Sequence, residues 1–433
     1  MKIELPELPI SEHFCTEYRY LKELAINGAK KIYGEELPAT VNFRLSVEFG
    51  IIKATKTARY YLILHDALKA VREMGILIGP GRGAAAGSLV AYCLGITMVD
   101  PLKHGLLFEK FHNLHKMPDF DFDVSSFGYD CMFQYLTEKY GTDRVNKIAI
   151  VDCNFPNYHH KVATTHRCGI AICQEPIANI VPLVLCSDEK KELIQCPSID
   201  DLKGKGIEKL DFIELKSLSI IQSLILEIEK AGIGIIDLGS IPLNDEQTLR
   251  LFKDGEIDGL ISDSDSLRGY YQNFSPDSFK ELCLLTAFYR PGPDRISAII
   301  RKKKYSEPYS EIEEEFASYF SDTYGLPCYQ EQVMMVLQKV SFFPPEESYY
   351  AMLALCQKDL DKINVFRALF VSRGIENGFS EEYLLKLWNY MLHESEYLFC
   401  KSHNVSHCLI GYWIAYFKAN YPDIYARVLI QYY

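Results

Sequence analysis

Apolar positions recur at helical spacing at the start of the chain, shift to strand-like runs in its middle, and return to helical spacing after about residue 240. TEYRYLKELAINGAKKIYG, 16–34, mixes apolar and basic residues at helical intervals and ends in Gly34, which predicts a helix with a glycine stop. YYLILHDALKAVREMG, 60–75, predicts a short buried strand running into a second helix. ILIGPGRGAAAGSLVAYCLGI, 76–96, predicts a strand, a glycine turn and a small-residue helix, and a further helix is expected over 127–140. The β-branched residues at 144–150 and 168–174 predict strands, and a further strand reading fits 208–215, which leads into an apolar helix from Lys216. Between the first two, DCNFPNYHHKVATTH is short and turn-like. Beyond residue 240, helical patterns alternate with Pro and Gly turns, and no solenoid period is visible. The expected architecture is α+β: a mixed sheet with helices, then a helix-rich lobe.

Within the sheet region, MPDFDFDVS places Asp119, Asp121 and Asp123 at steps of two. On a strand that spacing sets carboxylates on one side, while Phe120 and Phe122 enter the opposite, apolar side. Carboxylates so close repel one another and raise each other's proton affinity, and a divalent cation relieves the repulsion. Magnesium takes oxygen ligands, and a pair of such ions serves phosphoryl transfer by activating the attacking oxygen and stabilising the leaving one. Asp211, in KLDF, is available as a third carboxylate. The competing reading is a solvated acidic turn before Ser125 and Ser126.

GPGRGAAAGS, 79–88, has glycines ahead of a helix, an arrangement that lets an anion approach free N–H groups, and Arg82 offers a bidentate contact. It lacks the terminal Gly-Lys-Ser/Thr of a Walker A loop and the context of a dinucleotide fingerprint. A close-packed turn without ligand is the alternative.

The 433 residues exceed what one ordinary core accommodates, so two or three domains or a bilobal unit are expected. Forty-six basic against 58 acidic side chains give a net charge of -12, which weighs against duplex binding by global charge while leaving a local basic channel open. Thirteen scattered cysteines show no Cys-x-x-Cys pair, which predicts free thiols in a reducing cytoplasm. No zinc is assigned to His159 and His160, and the sequence shows neither a signal peptide nor an apolar run long enough for a membrane span.

GPGRGAAAGSLVAYCLGITMVDPLKHGLLFEKFHNLHKMPDFDFD (79–123), EKLDFIELKSLSII (208–221), AFYRPGPDRISAIIRKK (287–303), TYGLPCYQEQVM (323–334) and KSHNVSHCLIGYWIAYFKANYP (401–422) resemble, in order, blocks of the C-family DNA polymerases, the alpha subunit of bacterial DNA polymerase III. The resemblance implies a nucleotidyltransferase-like palm of the beta-type polymerase kind with a helix-rich fingers lobe. By it, residues 1–35 form a helical lead-in, 36–230 a palm with a nearly absent thumb near 151–165, and 231–433 partial fingers. Asp121, Asp123 and Asp211 match the family's catalytic, metal-holding aspartates, implying two Mg2+ ions. Arg82 and Gly83 fall in its nucleotide-binding turn, and Lys209 matches a basic residue beside the third aspartate. Arg290, Gln330, Lys358, Lys401 and His403 fall in fingers segments near incoming nucleotide or template. The implied activity is DNA-templated DNA synthesis on primer–template DNA with deoxynucleoside triphosphates, in the cytoplasm, with other replication proteins as further partners.

The chain departs from the family pattern at several places. Ala84 stands where a serine hydroxyl is usual, and Met352 and Leu353 stand where two arginines face the triphosphate, with Lys358 alone retained of a lysine pair. ISDSD, 261–265, replaces a Phe-Gln-x-Glu-Ser element, and VSSFGYD lacks an arginine pair. About fifteen residues stand where a thumb of several dozen is usual. Met1 aligns near the family's passage from its PHP domain into the palm and Tyr433 within the fingers, so neither PHP nor proofreading activity is assigned and no clamp-binding region is recognised. A weak or distributive polymerase is the leading expectation. A catalytically impaired paralogue that only binds DNA or a replication partner, a gene remnant, and a simpler nucleotidyltransferase are the alternatives.

Overall fold

The computed structural model describes residues 5–7, 16–151, 163–187, 193–202, 204–256, 265–289 and 293–432. The chain divides into two compact units, one of residues 1–102 and 116–222, the other of residues 103–115 and 223–433.

The first unit opens with α1 (Glu17–Tyr33), α2 (Ala39–Thr55) and α3 (Ala58–Glu73). Helix α1 stops at Gly34 as its sequence predicts, and Thr16 Oγ1 caps its start by accepting from the Arg19 N–H. The strand expected at the start of 60–75 is helix instead. Tyr60, Tyr61, Leu62, Ile63 and Leu64 are all buried in α3, so this stretch is apolar all round because it is covered on every side. A continuous apolar run of that length does not distinguish a buried strand from a buried helix turn. Helix α2 begins after Pro38 and buries Val41, Leu45, Glu48, Phe49 and Ile52 on one stripe. The short helices α4 (Leu89–Cys93) and α5 (Phe108–Phe111) follow, α5 belonging to the second unit.

The sheet runs in the order β1-β6-β3-β4-β5, with β2 pairing β3 off that path. Its strands are β1 (Asp121–Val124), β2 (Val145–Val151), β3 (Ala163–Ile172), β4 (Leu183–Ser187), β5 (Leu193–Pro197) and β6 (Glu208–Glu214). Strands β1 and β6 are parallel, and β6 and β3 are antiparallel. Helix α6 (Gly128–Tyr140) follows β1, the one-turn helices α7 (Ile177–Ile180) and α8 (Ile199–Leu202) connect later strands, and α9 (Lys216–Lys230) follows β6. The hairpin β4–β5 carries no strong turn signal in sequence and was not expected.

Aromatic packing anchors β1. Phe120 meets Tyr60 and Tyr61 edge-on at 5.6 and 5.3 Å between ring centres, and Phe122 stacks on Phe212 of β6 at 5.2 Å. Such contacts contribute about 0.5–1.5 kcal/mol each beyond burial. They fix which face of β1 turns inward, and so which face carries the aspartates.

The second unit is helical throughout its described residues apart from short bridges and turns. Its core gathers Phe316, Phe320, Met334, Leu337, Phe370 and Trp388. Among the described residues no helix is long and apolar enough to cross a membrane.

Candidate active site

The β1–β6 register sets Asp121 directly opposite Asp211, with Phe122 opposite Phe212. Neighbouring strands lie about 4.8 Å apart, so the two aspartates share one face at adjacent positions while the phenylalanines share the other. Asp123, two residues along β1, keeps to the aspartate face. On its far side β1 is held by residues 77–79: the Gly79 N–H donates to the Asp123 carbonyl at 2.7 Å, and the Ser125 N–H to the Leu77 carbonyl at 2.9 Å. The alternation read from sequence is therefore the alternation of the strand.

These carboxylates are not equivalent. Burial, then the Asp119 and Asp211 charges, push the Asp121 carboxyl up to about 6, against the opposing pull of Lys209 and Arg82. Burial also raises Asp123, opposed by Arg82, whose Nη1 donates to Asp123 Oδ1 at 2.8 Å. Lys209 Nζ donates to Asp211 Oδ2. Asp211 Oδ1 is buried with no hydrogen-bond partner among the described groups. At the end of β6, burial and Asp119 lift Glu208 to about 7. Two of the three aspartates thus hold a basic partner, and Asp121 has no ion pair among the described residues.

Arg82 and Gly83 lie in the turn ahead of α4. Gly83 has φ +58°, a left-handed conformation that suits glycine, and open space lies where a Cβ would be. The helix start downstream is already supplied with an anion. Glu48 of α2, fully buried, accepts from the Leu89 and Val90 N–H groups at 2.8 and 2.9 Å and from Ser88 Oγ at 2.8 Å. Arg44 pairs with Glu48 at 2.7 Å and donates to the Gly87 carbonyl at 2.6 Å. The anion that glycines and a helix start predict is an internal carboxylate, so any phosphate in this turn must rely on Arg82 and the loop before it. Glu48 had no signal in the sequence beyond a charged residue on an apolar stripe.

A second feature flanks Asp211, the grouping of His166 with Cys168. The β2–β3 register passes from Lys147↔Ile170 to Ala149↔Thr165, leaving three extra residues on β3. This bulge carries His166 and Cys168, and their ligand atoms and a carboxylate oxygen of Asp211 all lie within 4.8 Å of one another. Among the described residues no other group of three or more His, Cys, Asp or Glu atoms is that closely gathered; the three aspartates are not. Burial pushes His166 down and Cys168 up. The glycine inside a strand pattern, Gly169, was the available signal for a bulge.

In the helical unit Gln330, Lys358, Lys401 and His403 each make contacts within the unit. Gln330 opens a helix, Gln330–Ser341, and its Nε2 donates to the Leu398 carbonyl at 3.3 Å. Lys358 ends the helix Pro345–Gln357, and its Nζ donates to the Leu392 carbonyl at 3.0 Å and Ser395 Oγ at 3.1 Å. Lys401 and His403 lie in the first turn of Lys401–Asn420. Burial lowers Lys401, whose Nζ sits 5.7 Å from the centre of the Tyr329 ring. His403 packs between the rings of Phe399 and His407. Glu331, almost fully buried, accepts from the Lys401 N–H at 3.0 Å and the Ser402 N–H at 3.4 Å. Met352 is buried in the core, and Leu353 lines a cleft of about 600 Å³ with His115, Tyr350 and Phe366. Arg290 lies outside the described residues, as do most of the shortened thumb, 152–162, and nearly all of ISDSD.

A mixed sheet that presents aspartates from two adjacent parallel strands, joined to a helix-rich lobe, defines a palm-and-fingers class of protein. Residues 19–164 match the bacterial DNA polymerase III alpha NTPase domain, and residues 217–378 match the bacterial DNA polymerase III alpha subunit finger domain. The chain belongs to the DNA polymerase III alpha family. It is 30% identical to the DNA polymerase III subunit alpha of Bacillus subtilis over 96% of its length and 43% of that relative. Against the corresponding subunits of Aquifex aeolicus and Borreliella burgdorferi it is 29% and 30% identical, over 93% and 97% of its length and 43% and 42% of theirs. The chain thus spans less than half the length of these relatives.

Proposed function

We propose that this chain adds deoxynucleotides to a primer 3′ hydroxyl under template direction, with Asp121, Asp123 and Asp211 as the residues that hold two magnesium ions. The observation that carries the reading is the Asp121–Asp211 cross-strand pair, with Asp123 on the same face of β1. An all-oxygen donor set suits magnesium, and the elevated Asp121 carboxyl marks negative charge that the protein itself leaves unbalanced. Bound magnesium supplies activation of the primer hydroxyl and stabilisation of the leaving pyrophosphate. Arg82 and Lys209, paired with Asp123 and Asp211 in the free protein, are the nearest cations able to turn toward phosphate oxygens. Gly83 gives the backbone close access in the same turn. Residues 1–35 serve as a lead-in, 36–230 as palm and 231–433 as partial fingers, with Arg290, Gln330, Lys358, Lys401 and His403 on the nucleotide or template side. The shortened thumb gives weak grip on primer–template duplex and hence distributive synthesis. Cytoplasmic replication, alongside other replication proteins, is the proposed setting.

A second reading, a catalytically impaired paralogue that only binds DNA or a replication partner, is favoured by one specific feature. Both Asp123 and Asp211 already hold an internal cation, so the face is partly neutralised without metal. Primer extension with template, four deoxynucleotides and magnesium separates the two. Extension by the parent and none by Asp121→Ala/Asp123→Ala supports polymerase chemistry. A folded parent that binds primer–template without extending it supports the second reading.

A further inference from the structure

We propose that His166, Cys168 and Asp211 form a binding site for a thiophilic divalent cation, with zinc as the best fit, that shares only Asp211 with the all-aspartate magnesium set. The site is made by the three-residue excess on β3, which bends the strand beside β6 and turns His166 and Cys168 toward Asp211. Gly169 is the position of β3 opposite Asp211. A Cβ there would fall 2.9 Å from His166 Nδ1 and 3.3 Å from Asp211 Oδ1, so the glycine keeps the space between these two atoms open.

The donor chemistry selects the metal. One imidazole nitrogen, one thiolate and one carboxylate oxygen are the ligand types of zinc sites, and thiolate disfavours magnesium. Three protein ligands leave a fourth position for water. Zinc bonds of about 2.0–2.3 Å in a tetrahedron require ligand atoms roughly 3.3–3.8 Å apart. Cys168 Sγ and His166 Nδ1 stand at 3.5 Å, inside that range, and Asp211 needs only a small side-chain rotation to join them.

Asp211 supplies the independent pointer. Its Oδ2 accepts from Lys209, while its Oδ1 is buried and without a hydrogen-bond partner among the described groups. A buried carboxylate oxygen without a partner is costly, and it is a state that calls for an ion or water. That oxygen faces the His166 side of the bulge. His166 Nδ1 currently accepts a long bond from the Cys168 N–H at 3.3 Å, a weak contact for a metal to displace. Asp211 belongs to both sets, so a cation held here withdraws one ligand from magnesium. That consequence rests on the proposed function, whereas the binding does not.

The test is titration of the purified, reduced chain with Co2+ alone, reading the thiolate-to-cobalt absorption band and the visible bands of tetrahedral cobalt. One equivalent is expected to produce both, and Zn2+ to abolish them. Cys168→Ala should lose the thiolate band, and His166→Gln should weaken Co2+ binding by at least about tenfold, the loss that even an outer-shell partner carries. Both variants are checked for native circular dichroism, and because the side chains are only half-buried on a sheet bulge, at least one is expected to fold. Absence of a band in the folded parent overturns the proposal, as does a band unchanged in Cys168→Ala, which would assign the cobalt to another of the thirteen cysteines. Loss of primer extension leaves this readout untouched, so failure of the polymerase reading and failure of the cation site are distinguishable.

Discussion

In the sheet unit, Glu48 accepts from the N–H groups that begin α4; in the helical unit, Glu331 accepts from those that begin Lys401–Asn420. The first lies in the segment whose glycines suggest an anion site and the second in a segment that the resemblance sets near nucleotide or template, and in both the chain provides the anion. The aspartate face of β1 and β6 is the opposite case. Arg82 and Lys209 reach two of its carboxylates, and Asp121 stays raised to about 6. The contrast separates electrostatics that complete the fold from electrostatics left open to a ligand. A buried helix start must satisfy its N–H groups internally, since an unpaired buried donor is costly. A strand face can keep excess charge if aromatic packing behind it, here Phe120, Phe122 and Phe212, holds the backbone in place.

Glu48→Ala is the largest expected break in this comparison. It strands Arg44, Ser88 and two N–H groups, and a loss of about 3–5 kcal/mol in denaturant unfolding is expected, the cost of removing one partner from a buried ion pair. Glu331→Ala removes a comparable cap with longer bonds, and a loss of about 1.5–3 kcal/mol is expected from the same measurement. Near-zero change for either would remove the claim that these carboxylates complete the fold.

Asp121→Asn acts in the other direction. The folded carboxyl, lifted from 3.8 to about 6, holds its proton more tightly than the unfolded chain does. Below 3.8 both states are protonated and the charge costs nothing; stability is lost as pH rises toward 6 and stays lost above it. In chelator, Asp121→Asn should therefore melt higher than the parent above about pH 6 and equally at low pH. A variant that melts lower at neutral pH would contradict an uncompensated charge at this position. Lys358→Ala, which removes two bonds from an exposed ammonium, is expected to cost only about 0.5–1.5 kcal/mol.

The acidic face was legible in sequence because its signal is local: alternation of Asp with Phe reports both faces of a strand at once. The sheet-then-helix order was likewise legible, since it follows from a change of period. What was not legible depends on distant partners. Helix α3 reads as a strand at its start because burial on all sides removes the periodic signal. Glu48 meets Ser88 across forty residues, and nothing near either position announces the other. His166 and Cys168 are unremarkable as single residues and meet Asp211 only through a register shift in a strand pair. Lys358 and Gln330, which the resemblance sets near nucleotide or template, make bonds within the helical unit that no spacing rule predicts.

The most direct test of the central claim is single-turnover incorporation of one deoxynucleotide, with folded protein in excess over primer–template and magnesium present, parent beside Asp121→Asn. The account predicts an extended primer from the parent and none from the variant over the same time. Equal extension by both, or none by a parent shown to bind the primer–template, would contradict it.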